Sequence, residues 1–262
     1  MADLIKKPES PPPSTGITLN KGKLRSSTAS PFQQRVNQAK ASTPDAASLA
    51  NRICLMLDRS SSMSQYADFR TKNGQKAKID LLKEAIDNFV NRCDFSNTSL
   101  AVETFPASLE LALTNVGIMV TTSVASMSPS GNTPMRRCIE LCLEKIPMTR
   151  GIIVSDGEAT DWHGAFSYDY SEDENPNARG EDSLLAKYKQ ASIPIDCVHI
   201  GDSSNGEELL RRIAKETGGI YLKFTDVSAF ATAFAYLTPS YRAMLCDGSI
   251  DADQLGAKEV SR

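Results

Sequence analysis

Residues Asn51 to Met63 read NRICLMLDRSSSM: an uninterrupted apolar run, Ile53 to Leu57, ends in Asp58 and is followed at once by three serines. A strand covered by helices on both faces has no solvent side to alternate with, so it reads as a continuous apolar run. In open α/β sheets the carboxyl ends of such strands are where ligands bind. The stretch therefore predicts a central parallel strand that delivers one carboxylate and several hydroxyls, Ser60, Ser61 and Ser62, to the rim of a sheet. Such oxygens suit a hard divalent cation. A serine turn that merely caps its own backbone accounts for this stretch alone equally well.

Outward from that strand, helix and strand signals alternate. Ile79, Leu82, Ile86, Phe89 and Val90 recur at helical spacing among charged residues, which predicts an amphipathic helix. Thr98 to Phe105 and Ser108 to Leu113 read as strands joined by Pro106 and Ala107, a hairpin that puts an antiparallel strand at one edge. Asn115 to Val124 reads as a short helix or turn and Ser126 to Thr133 as a polar loop. Pro134 opens the next helix with Thr133 in the capping position. GIIVS, Gly151 to Ser155, is a second central strand with Asp156 at its end. After the acidic, aromatic segment Asp161 to Glu181 come a helix (Ser183 to Gln190), a strand (Pro194 to Ile200), a helix (Asn205 to Glu216) and a strand (Ile220 to Phe224). Gly218 and Gly219 end the second of these helices, and a last helix is expected over Val227 to Leu237. The expectation is a doubly wound, mostly parallel six-stranded sheet with one short antiparallel edge strand and helices on both faces.

Six prolines with interspersed Ser, Thr, Lys and Gln mark residues 1–50 as a flexible Pro/Ser-rich N-terminal arm. Residues 51–237 form the folded domain and 238–262 a C-terminal tail without strong preference. At 40% apolar and 23% charged residues, with a formal charge of −3 over 262 residues, the composition is that of a soluble globular protein with no pull toward nucleic acid or membrane. The six cysteines show no CxxC spacing. Cys54 and Cys197 lie in strand-like runs, and Cys138 and Cys142 share a helix face, so they are read as packing residues. No secretory leader pattern opens the sequence, and the cytoplasm is the expected compartment.

Asp58-x-Ser60-x-Ser62, Thr133 and Asp156 each fall at a strand end or helix start on the same expected rim. Together they resemble the von Willebrand factor A (VWA) domain family and its metal-ion-dependent adhesion site. The DxSxS motif stands as Asp58, Ser60 and Ser62, the family threonine as Thr133 in SGNTPM and the last aspartate as Asp156 in VSDGEATD; Ile200 to Tyr221 adds a further likeness. The resemblance covers roughly residues 51–237. It implies that Ser60, Ser62 and Thr133 contact the metal directly or through water, that Asp58 and Asp156 hold charge and orient water, and that a partner's carboxylate supplies a remaining ligand. The metal implied is Mg2+, with Mn2+ or Ca2+ as alternatives.

The function expected from this is an intracellular, metal-dependent protein–protein interaction module in a multiprotein complex. The partner-contacting residues expected are Arg59, Trp162, His163, Phe166, Tyr168 and Tyr170, since aromatic side chains are frequent interface anchors; an exposed histidine without a role is the other reading of His163. Two alternatives stand beside it: a hydrolase or phosphotransferase built on Asp58 and Asp156, and an assembly protein that recruits through its N-terminal arm. Dinucleotide binding is not indicated, since neither GxGxxG nor GKS/GKT is present, and catalysis is disfavoured because only two histidines exist, His163 and His199, the latter inside an expected strand and read as packed.

Overall fold

The structure, a computed structural model, describes residues 45–66, 76–106, 108–157, 159–162, 183–201, 203–224, 237–239, 242–243 and 259–261, together with Phe230 and Phe234. Its elements are β1 (Asn51–Asp58), α1 (Lys78–Arg92), β2 (Thr98–Phe105), β3 (Ser108–Thr114), α2 (Gly117–Ala125), α3 (Met135–Lys145), β4 (Arg150–Ser155), α4 (Ser183–Gln190), β5 (Ile195–Ile200), α5 (Ser204–Thr217), β6 (Tyr221–Phe224) and β7 (Glu259–Ser261). The sheet order is β3-β2-β1-β4-β5-β6-β7. β1 pairs in parallel with both β2 and β4, and β3 closes one edge antiparallel to β2.

The apolar run of β1 is continuous because successive side chains enter two different cores. Ile53, Leu55 and Leu57 meet Leu82, Ile86 and Phe89 of α1 and Val120 of α2. Cys54 and Met56 face Met135, Cys138 and Cys142 of α3 and Leu210 and Ile213 of α5. The thiols of Cys54 and Cys142 lie 3.6 Å apart, fully inside the second core, where they pack as small apolar groups. Each fully buried Leu, Ile or Phe on these faces is worth about 1.5–3 kcal/mol of transfer free energy. Polar substitution at Leu82, which lies on the inner face of α1 with no exposure, would break that face.

The six expected strands and their order are present, and the sheet carries one more. Glu259–Ser261 pairs antiparallel with β6, Leu222 opposite Val260, so a piece of the tail forms the second edge. Three residues are too short for any periodicity to register in the sequence. Of the expected last helix, Phe230, Phe234 and Leu237 are described and buried, with Phe234 stacked edge-on against Phe89 at 5.3 Å. The rest of that helix, the arm before residue 45 and most of the 161–181 segment lie outside the described residues.

The far end of the sheet from Asp58 is locked by a buried charge cluster. Asp196, at the start of β5, accepts from Arg150 Nε at 2.7 Å and from Arg242 Nε at 2.9 Å, and from the Ile220 N–H at 2.9 Å. Burial works to raise its pKa, but the two guanidiniums and these hydrogen bonds hold it below the ordinary carboxylate value. Arg150 Nη1 also donates to the Leu237 carbonyl at 2.7 Å, tying the C-terminal region to β4.

Candidate metal centre at the sheet rim

β1 and β4 are hydrogen-bonded neighbours, with Leu57 opposite Val154, so Asp58 and the Ser155–Asp156 pair emerge side by side. Asp58 is completely buried. Its Oδ1 accepts from the Ser60 N–H at 2.7 Å and its Oδ2 from the Ser155 hydroxyl at 2.6 Å. Ser155 Oγ in turn accepts from the Gly157 N–H at 2.8 Å. Burial pushes the Asp58 pKa up to about 6, the Ser155 and Ser60 hydrogen bonds oppose this, and the charge of Asp156 adds to the rise. Two carboxylates thus sit close enough to feel one another in a dry place.

The serine turn continues as a 3-10 turn, Ser61–Ser64, in which the Ser60 and Ser62 hydroxyls share a hydrogen bond of 2.9 Å. The loop before Thr133 is laced to it: Ser61 N–H donates to the Gly131 carbonyl at 3.0 Å and Ser130 N–H to the Arg59 carbonyl at 2.7 Å. Thr133 is buried beside them. It does not cap α3 as its position suggests. The carboxylate of Asp161 does so instead, accepting from the Arg136 N–H at 3.0 Å and the Arg137 N–H at 2.8 Å, while the N-cap position, Pro134, has no cap bond of its own. A carboxylate at a helix N-terminus is also favoured by the helix dipole. The Thr133 hydroxyl is thereby released from the role that its place in the sequence implied.

Asp156 is buried, and its two oxygens differ. Oδ2 accepts from Lys78 Nζ at 3.0 Å, whereas Oδ1 is buried with no partner among the described residues. An unsatisfied buried acceptor costs about 1–3 kcal/mol, more for a charged one. The Asp156 main chain is fixed from two sides. Its carbonyl accepts from His199 Nε2 at 3.2 Å, and His199 Nδ1 then accepts from the Tyr221 hydroxyl at 3.1 Å. Burial, with Lys223 adding to it, lowers the His199 pKa and favours the neutral ring that this arrangement needs. Behind Asp156 the chain turns at Gly157, φ +90°, against Gly206 in the first turn of α5; a Cβ on Gly206 would lie 2.6 Å from the Asp156 carbonyl oxygen. Only glycine permits that approach.

The side chains at this rim, two carboxylates and three hydroxyls with one carboxylate oxygen orphaned, are of the kind that a hard cation takes. No three His, Cys, Asp or Glu side chains converge among the described residues, at this rim or away from it, so nothing described offers a softer, thiolate- or imidazole-rich site.

The expected partner-contacting residues fare differently. Trp162 is only 6% exposed and belongs to the second core, with the Arg136 guanidinium 5.3 Å over its ring; it is packed rather than presented to a partner. The apolar body of the indole finds room beneath α3, which its position in a polar segment did not suggest. Arg59 is half-buried, with its Nε enclosed and without a partner among the described residues. His163, Phe166, Tyr168 and Tyr170 lie outside the described residues. Sequence reasoning missed Lys78, Ser155, Asp161 and Gly206, and took His199 as packing alone. It also passed over Tyr66, 63% exposed at the end of the serine loop. Ser155 had the plainest signal, a hydroxyl immediately before Asp156 at a strand end.

No family model matches the chain, and no curated protein sequence matches it. Solved structures do. The chain is similar to BatB, a conserved hypothetical protein from Bacteroides thetaiotaomicron, at 17% identity and TM-score 0.52 over 76% of this chain and 100% of that one. It is also similar to the vWF domain of the type V pili tip protein Mfa5 from Porphyromonas gingivalis, at 11% identity and TM-score 0.52 over 78% of this chain and 97% of that one. At such identities the likeness is one of fold, and the fold is that of the VWA domains.

Proposed function

We propose that this chain is an intracellular, divalent-metal-dependent protein-interaction module. In this reading Ser60, Ser62 and Thr133 hold Mg2+ through their hydroxyls, Asp58 and Asp156 supply charge and orient water, and a partner's carboxylate completes the shell. The observation that carries it is the pair Asp58 and Asp156: two buried carboxylates on adjacent strands, one with its pKa raised and the other with an orphaned oxygen. Lys78 supplies one positive charge, to Asp156; a bound divalent ion would also answer Asp58 and the orphaned Asp156 oxygen, and with mostly neutral ligands it would stay attractive to an incoming anion. Small, octahedral Mg2+ suits such a compact oxygen set, and Mn2+ or Ca2+ could substitute. A binding role is favoured over a catalytic one because His199 is committed to Tyr221 and the Asp156 carbonyl and is not free to move protons. The partner surface is the rim around the ion, where Arg59 and the exposed Tyr66 stand.

The test is calorimetric titration of MgCl2 into the full chain and into Asp58→Ala. A saturable heat in the first that vanishes in the second supports the reading, and equal heats in both would sink it. Capture of a cellular partner that disappears with EDTA and returns with Mg2+ extends the test to binding; capture indifferent to EDTA but lost when residues 1–50 are removed would favour recruitment by the arm.

A further inference from the structure

Lys78, the first residue of α1, reads in the sequence as one more polar position on an amphipathic helix. In the structure its ammonium is 3.0 Å from Asp156 Oδ2, and the two side chains are only 13% and 6% exposed. The other oxygen of the same carboxylate is the orphaned one. A single buried carboxylate is therefore divided between a cation of the chain's own and an uncommitted position. The geometry holding Lys78 there is specific. Its N–H donates to the Gln65 carbonyl at 3.0 Å, which fixes the start of α1 to the end of the serine loop. Its side chain runs past Gly201 at the end of β5, where a Cβ would just touch Cε and Nζ at 3.7 Å.

We propose that Lys78 and the divalent ion compete for Asp156, so that Lys78 sets the ion concentration at which the site loads. This rests on the metal-site reading above. An ion held by Asp156, directly or through one water, would sit close to the ammonium that now contacts the same carboxylate at 3.0 Å. Repulsion between the two is weakly screened at a buried site. Loading then requires the ammonium to withdraw, which its flexible four-carbon stem allows. The withdrawn charge is added to the rim that meets an acidic partner, so ion loading and readiness for the partner are one event. Lys78 also neutralises Asp156 without the ion, so the fold does not need the metal to stand.

The experiment is calorimetric titration of MgCl2, at fixed ionic strength, into the full chain as wild type, Lys78→Met, Lys78→Arg and Asp58→Ala. Removing the charge is expected to tighten Mg2+ at least about tenfold while Lys78→Arg stays within about threefold of wild type, and Asp58→Ala binds none. If wild type binds and Asp58→Ala does not, but Lys78→Met binds equally or more weakly, competition is overturned and the metal site stands. If neither wild type nor Lys78→Met binds, both readings fall. Should Lys78→Met not fold, the Lys78 13Cε resonance of the wild type decides: a shift on Mg2+ saturation supports withdrawal of the ammonium, and a resonance that does not move overturns it.

Discussion

The Ser155 hydroxyl donates to Asp58 Oδ2 at 2.6 Å and, through the same oxygen, accepts the Gly157 N–H at 2.8 Å, so one side chain couples the end of β1 to the turn that carries Asp156. Ser155→Ala removes both bonds and leaves a buried carboxylate and a buried N–H short of partners. The expected loss is about 2–4 kcal/mol in urea-induced unfolding. A Ser155→Ala protein as stable as wild type would mean that neither bond matters in solution.

Gly206 makes a different demand on the same turn. With a Cβ 2.6 Å from both the Asp156 carbonyl oxygen and the Gly157 backbone, Gly206→Ala must push α5 and the turn apart. We expect a destabilisation of about 1–3 kcal/mol, against the gain that alanine normally brings to a helix interior. Because Asp156 moves with the turn, Mg2+ affinity in the same variant should fall, whereas Ala at Gly218, which has open space but φ +78°, should cost stability and spare the ion. Equal Mg2+ affinity in both variants would show that the turn is not what places Asp156.

The charge cluster at the opposite end separates stability from the site. Asp196→Ala leaves Arg150 buried without its carboxylate, and loss of one partner of a buried pair costs about 3–5 kcal/mol. The acid dependence follows from the sign of the shift. With its folded pKa held below the ordinary carboxylate value, Asp196 contributes stability fully above the unfolded pKa and loses it as pH falls through the folded one. Thermal melts from pH 6 downward to about pH 2 should therefore show a steeper acid loss in wild type than in Asp196→Asn. Mg2+ affinity at pH 7 should be the same in both if each remains folded.

What the sequence revealed and what it hid divide along a physical line. The apolar runs at β1 and β4 and the helical spacing of α1 are local patterns imposed by burial on one or two faces, and they carried the sheet and its order. The placement of Asp58, Ser60, Ser62 and Asp156 at one rim was legible because strand ends mark it. Lys78 and Asp161 were not, because each acts on a group far along the chain, Asp156 and the N–H groups of Arg136 and Arg137, and a contact of that kind leaves no periodicity behind. Thr133 shows the cost of local reasoning: a threonine before Pro134 looks like a helix cap until a distant carboxylate takes the place. Trp162 was misjudged in the same way, its surroundings along the chain being polar and its surroundings in space apolar.

The cap made by Asp161 has a bearing on how this surface can be altered. Asp161 grips the first turn of α3, Trp162 is sunk in the core, and Leu184 and Leu185 of α4 are buried in that same core. The chain on either side of residues 163–182 is therefore anchored in one core. A change of length or sequence between those anchors can leave α3, α4 and the sheet seated, because each anchor is held by contacts of its own.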